Sequence, residues 1–126
     1  MAGWQSLLGG AVRVNATGLT RISKDVEGIV DAVLRKGAED IEATAKDIAE
    51  QKKIFDTGDL INSIQVWWER SKKLFYEIGP RVHYGIYQEF GTVRFVGRPY
   101  LIPAFNKHRP FILRAAAKAI EQGGSN

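Results

Sequence analysis

Cysteine is absent from this chain, so neither a disulfide framework nor a thiolate metal site is open to it. That suits a protein assembled in a reducing cytoplasm. Long apolar runs are missing too: none approaches the roughly 18 residues needed to cross a bilayer. The start, Met1-Ala2-Gly3-Trp4-Gln5, lacks the basic and apolar regions of a signal peptide. A soluble intracellular product with no membrane partner is expected. Histidine is scarce, with only His83 and His108, and neither sits in a nucleophile, metal or phosphate motif. His83 and Glu89 fall on different faces of a short helix, out of hydrogen-bond reach of each other. Neither a Walker-type nor a dinucleotide-type glycine loop occurs. An enzyme is not expected, and no cofactor or metal is called for.

Acid is also missing from one long stretch. Between Glu89 and Glu121 there is no carboxylate, while Arg94, Arg98, Lys107, Arg109, Arg114 and Lys118 all fall there. The net charge of +4 is therefore uneven: residues 1–56 carry −1 and residues 57–126 carry +5. This asymmetry is the electrostatic clue to a partner. Interleaved with Phe95, Tyr100, Phe105 and Phe111, the basic residues form a pattern that supports contact with phosphates and bases. Most of the aromatics, however, fall at packing spacings, which makes them core and leaves the charges on a solvated or inter-subunit face. Lys107, Arg109, Arg114 and Lys118 are the candidates to face nucleic acid.

What remains is an ordinary globular composition, 44% hydrophobic and 25% charged over 126 residues, enough for a single domain spanning residues 1–126. Residues 1–10 end in Gly9-Gly10 and read as a flexible or partner-ordered arm, and residues 123–126 as a frayed tail. Ala11 to Ala16 alternates as a short strand with Val12 and Val14 on one face. From about Thr20 to Gln51, Ile22, Val26, Ile29, Val33, Ile41, Ala45 and Ile48 mark an amphipathic helix about 45 Å long. That exceeds the diameter of so small a domain. Either Gly28 or Gly37 breaks the helix, or one end reaches past its own core toward another subunit.

Asp56-Thr57-Gly58 opens a short helical turn at Leu60 to Ser63. A β-hairpin follows, with Ile64, Val66, Trp68, Leu74, Tyr76 and Ile78 expected inward, on the long helix. Trp67 and Phe75 then lie on the outer face, where something must cover them: the C-terminal helix or a neighbouring subunit. Tyr84 to Phe90 reads as a two-turn helix ended by Gly91. Glu89 beside that turn can accept backbone amides, pair with Arg98 across residues 91–97, or bridge to the next subunit. Thr92 to Val96 forms a short strand or the side of a loop. Glycines at both ends let that loop swing, and Val93, Arg94, Phe95 and Val96 make it a docking element. Tyr100 and Leu101, preset by Pro99 and Pro103, anchor it to the core. The two prolines forbid a regular helix between them, so the last helix starts at Phe105 or Pro110. The fold class is α+β: a small, mostly antiparallel sheet of three or four strands packed on a long N-terminal helix, with two shorter helices.

Four landmarks come in order: Thr57-Gly58-x-Leu60-x-x-Ser63-Ile64, the hairpin of residues 64–80, Tyr84-x-x-x-x-Glu89-Phe90-Gly91-Thr92, and Pro99-x-Leu101-x-Pro103-Ala104. In this order and spacing the chain resembles the head-to-tail joining (neck or tail-completion) proteins of long-tailed phages, over about residues 56–104. It departs at Ile61 and Ile102, where that family often carries basic residues, so any ion pair made there by relatives is in doubt. The resemblance implies a structural virion protein, made in the host cytoplasm, that forms a homo-oligomeric ring at the neck or head-proximal end of the tail. A hexamer is favoured and a dodecamer is the competing choice. The implied neighbours are neck, head-closure, tail-tube or terminator proteins, with genomic DNA passing through the lumen. Subunit or partner contacts would fall to Trp67, Phe75, Glu89, Val93, Arg94, Phe95, Val96 and Arg98. The alternative is a small basic protein that binds DNA without sequence preference.

Overall fold

The computed structural model describes residues 11–16, 23–52, 57–82, 89–92, 95–97 and 99–124. Among these the expected α+β architecture is present. Strand β1 (Val12–Asn15) leads to helix α1 (Lys24–Gln51), then helix α2 (Thr57–Ser63) and strand β2 (Gln65–Val66). A 3-10 turn at Trp68–Arg70 and strand β3 (Phe75–Gly79) complete the sheet. Strands β4 (Gly91–Thr92) and β5 (Phe95–Val96) pair with each other, and helix α3 (Leu101–Gly124) follows.

The main sheet has the order β1-β3-β2, antiparallel throughout, with Val12 opposite Ile78, Val14 opposite Tyr76 and Val66 opposite Ile78. The period of two puts those side chains on one face. There they meet Val26, Val30, Leu34, Ile41 and Ala45 of α1, and all are buried. The β4–β5 ladder is a separate two-stranded hairpin rather than a fourth strand.

α1 starts where Ser23 caps it, its Oγ accepting from the Val26 amide at 3.2 Å, with Asp25 and Glu27 in the first turn. It runs unbroken through both Gly28 and Gly37 to Gln51. Its buried positions extend from Val26 to Ala49, so neither end overhangs the core. Both sequence alternatives are thus corrected, and the reason is α3. That helix is nearly as long as α1 and packs beside it, giving the long helix a partner over its length. Gly37 lets the two approach closely: a Cβ there would sit 2.6 Å from Ile112 Cγ1.

α3 is itself a correction, since it starts at Leu101 rather than at Phe105 or Pro110. Pro103 falls in the first turn, where an N–H would have no intrahelical acceptor in any case. Pro110 is accommodated inside the helix at an exposed position, at the expense of one backbone bond. Tyr100, Leu101, Ala104 and Phe105 are all within 1% of full burial, as expected for the anchoring segment. The His108 Nε2–Thr44 Oγ1 contact at 2.6 Å and a bond from Lys52 Nζ to the Pro99 carbonyl tie α3 to α1.

The hairpin departs from the expected alternation after Val66. Trp67 takes φ −86° and ψ 80°, neither strand nor helix, and leads into the 3-10 turn. The exposures of the two indoles are the reverse of the expected ones: Trp67 is 7% exposed and Trp68 46%. Trp67 Nε1 donates to the Gly79 carbonyl at 3.0 Å. Trp68 stands edge-on to Tyr76, with Arg35 stacked 4.9 Å from its ring centroid.

Two carboxylates of α1 hold this hairpin. Asp31 Oδ1 accepts from the Leu74 amide and from the Tyr76 hydroxyl, both at 2.7 Å. Leu74 sits at φ 66°, a left-handed conformation that is strained for a leucine, and the Asp31 bond fixes it there. Farther along α1, Glu42 Oε1 accepts from the Val66 amide at 2.8 Å. Burial pushes the Tyr76 phenol up to about 12, with the hydrogen bond to Asp31 adding to it.

Candidate functional site

Among the described residues of the sequence-predicted set, Glu89 accepts three backbone hydrogen bonds. It lies in backbone of helical form just before Gly91, whose φ of 83° ends that helix as a left-handed glycine does. Its Oε1 accepts from the amides of Tyr100 at 3.0 Å and Leu101 at 2.8 Å, and its Oε2 from Ile102 at 3.0 Å. These are N-terminal amides of α3, which have no carbonyl partner of their own and carry the positive end of the helix dipole. At 3% exposure, Glu89 serves as a clamp within the chain, the first of the roles its position offered. Gly97 completes the clamp: a Cβ there would fall 2.6 Å from the Gly91 nitrogen and 2.8 Å from the Glu89 carbonyl oxygen. Of the glycines bounding this loop, Gly91 takes a turn conformation and Gly97 a close-packed position.

On the outer sheet face, Trp67 and Phe75 are covered, but neither by the C-terminal helix nor by a neighbouring subunit. The Arg70 and Arg81 guanidinium carbons each stack 5.3 Å from the Trp67 ring. Arg13 and Lys72 each stand 6.0 Å from the half-buried Phe75 ring. Beside them Glu77, 3% exposed, pairs with Arg13 at 2.8 Å and Arg70 at 3.1 Å. The cover consists of cations, two of them held by the buried Glu77 and Arg81 by the exposed Glu69, not of α3 residues. Trp67 therefore offers little area to a neighbour, while Trp68, placed inward by the alternation, offers more.

The basic residues of α3 separate into two sets. Lys107, Arg114 and Lys118 recur at seven and four residues, one face of the helix, and all three are exposed. Phe111, 60% exposed, lies within that stripe with Arg114 4.8 Å from its ring centroid. Arg109 points elsewhere: its Nε is buried and has no hydrogen-bond partner among the described residues. Val93, Arg94 and Arg98 lie outside the described residues, and Phe95 and Val96 are described only as backbone of β5.

A groove between α1 and α3 was not anticipated. One hollow of about 380 Å³ is lined by Ile29, Val33, Gly37, Phe111 and Ala115, with Lys36 and Asp40 at the rim. A second, about 410 Å³, shares Ile29, Val33 and Ala115 and continues to Lys118. Ile29 and Phe111 are 53% and 60% exposed, although periodicity assigned both to the apolar core faces. The missed signal was the width of the α1 stripe: Ile29, Val33, Lys36 and Asp40 form a second row beside the buried one.

His108 faces Asp40, Lys36 and Lys107 near one end of this groove, and burial holds its imidazole below the usual histidine range. Among the described residues no group of three metal-ligating side chains occurs. No helix among them is long and apolar enough to cross a membrane.

No curated protein and no solved structure matches this chain. One family model does, the HK97-gp10-like model described as "Bacteriophage HK97-gp10, putative tail-component", over residues 16–91. The matched stretch holds α1, α2, β2 and β3 and ends at Gly91, two residues past the clamping Glu89. It contains the first two of the four sequence landmarks and the third up to Gly91, and leaves Thr92 and the Pro99–Ala104 segment outside. Covering more than half of the chain, the match carries its conclusion: this protein belongs to the HK97-gp10-like family of bacteriophage tail components.

Proposed function

We propose that copies of this chain form a closed ring at the phage neck or the head-proximal end of the tail, joining the DNA-filled head to the tail. The observation that carries this reading is the family match over residues 16–91. The surface agrees with it. Ile29, Trp68, Phe90, Phe111 and Leu113 are exposed large apolar side chains, with Ile29 and Phe111 together in the α1–α3 groove, as a subunit with neighbours would offer. The action is shape and charge complementarity, with no reaction chemistry. A ring needs a head-to-tail interface that closes by rotation, and six copies is the favoured number.

Mass measurement and negative-stain microscopy of the purified protein, alone and mixed with its neck and tail neighbours, test this reading. A ring in either sample supports it, and a chain that stays monomeric in both refutes it. The exposed stripe of Lys107, Arg114 and Lys118 favours a second reading, contact with duplex DNA through phosphates. Binding to duplex that weakens steeply with salt, by a protein that forms no ring, would establish that reading instead.

A further inference from the structure

We propose that the groove between α1 and α3 is the receptor for the hairpin of residues 91–97 of the next copy in the assembly. The inference rests on the ring reading above and names the two surfaces that would meet.

The groove is concave and apolar, built on Ile29, Val33, Phe111 and Ala115, and no described part of its own chain fills it. The hairpin supplies a complementary set. Phe90 at its root is 58% exposed, and the sequence continues with Val93, Arg94, Phe95 and Val96. Charge agrees as well. Arg94 is the hairpin's one charge, and residues 90–120 hold no acid to answer it. The groove rim does, in Asp40, whose present partner Lys36 is an exposed i,i+4 neighbour at 2.6 Å. Such an exposed pair contributes little and is readily exchanged.

Geometry separates the hairpin from its own groove. Glu89 fixes the hairpin root at the first turn of α3, on the amides of residues 100–102. Phe111 and Ala115 lie 10 and 14 residues beyond Leu101, roughly 15 and 21 Å along the helix axis. A hairpin turning between residues 91 and 97 reaches only about 10 Å from its root, at ~3.3 Å per residue. The groove must take the hairpin of another copy. Because donor and receptor are different surfaces of one chain, each copy gives and receives, as a heterologous ring contact requires. Groove against groove would be an isologous contact and would stop at a dimer.

The absence of cysteine makes the test clean. Val93→Cys and Ala115→Cys are made singly and together, with Ile29→Cys as a second receptor site should Ala115→Cys disturb folding by circular dichroism. Mild oxidation of the mixed single variants should give a disulfide-linked heterodimer. The double variant should give a ladder of covalent oligomers ending at the ring number. Phe111→Ser should keep its fold and lower the ring fraction at least tenfold. Rings by microscopy without the 93–115 link would overturn the docking and leave the ring reading standing. Closure of the double variant within one monomer would also overturn it. Failure of the unmodified protein to form any oligomer, alone or with its neck and tail neighbours, would remove the ring reading and this inference together.

Discussion

Replacing Glu89 should be among the most damaging single changes in this protein, and its magnitude can be worked from three bonds. The carboxylate is 3% exposed and accepts from the Tyr100, Leu101 and Ile102 amides at 2.8–3.0 Å. Glu89→Ala strips the acceptor from all three and leaves a small void. A buried donor without its partner costs about 1–3 kcal/mol, and Tyr100 and Leu101 are both fully buried. The lost charge at the start of α3 adds about 0.3–1 kcal/mol. The expected loss is about 2–7 kcal/mol, a large share of the roughly 5–15 kcal/mol that holds a domain together. Glu89→Gln keeps an oxygen where Oε1 accepts two of the bonds but sets an amide group against the third, so about 1–3 kcal/mol is expected. Urea unfolding followed by tryptophan fluorescence reads both, provided the slope of free energy against urea is unchanged. An Ala variant within 1 kcal/mol of the parent, or a Gln variant as damaged as the Ala variant, would refute the clamp.

The glycines of α1 make a matched pair: Gly28→Ala, with open space around its Cβ, should stabilise by about 0.5–1 kcal/mol, whereas Gly37→Ala should cost about 1–3 kcal/mol through its clash with Ile112; thermal unfolding of the two side by side decides it. Because the folded His108 titrates below its ordinary 6.5, the unfolded chain takes up a proton first as the pH falls, so stability is full above 6.5 and declines below it. An imidazole midpoint at or above 6.5 by nuclear magnetic resonance would contradict this. Trp67→Ser should cost about 3–5 kcal/mol as a buried aromatic, while Trp68→Ser, at a half-exposed ring, should leave unfolding within about 1 kcal/mol and act, if at all, on assembly; denaturant midpoints and ring counts separate the two.

Much of the fold was legible because it rests on periodicity. The alternation of Val12 and Val14 and the recurrence of Val26, Ile41 and Ala45 each imply a buried face, and those faces are buried. Periodicity could not measure where a pattern lapses. Val66 to Trp68 looks like uninterrupted strand, but a 3-10 turn begins at Trp68 and leaves that indole the more exposed of the two. Nor could composition show that Pro103 sits in a first turn, where proline is harmless, so the residue pattern alone implies a shorter α3 than the one that forms. Glu89 was recognisable as a local acceptor from its place beside a turn. Asp31 and Glu42 were not, because their partners are backbone amides distant in sequence and leave no trace in residue type. The groove was invisible for a related reason: it is lined by residues of two helices, and each helix alone shows an ordinary apolar stripe.

The carboxylates of Asp31 and Glu42 also constrain how this chain can vary in length. Eleven residues make just over three whole turns, so the two side chains leave α1 within about 20° of one another. A single residue inserted or deleted between them would rotate one carboxylate by about 100° and carry it off the hairpin. Either the Leu74 turn or the Val66 edge would then lose its acceptor. Length change between residues 31 and 42 is thus closed to one-residue steps, and α1 acts as a ruler against which the sheet is set.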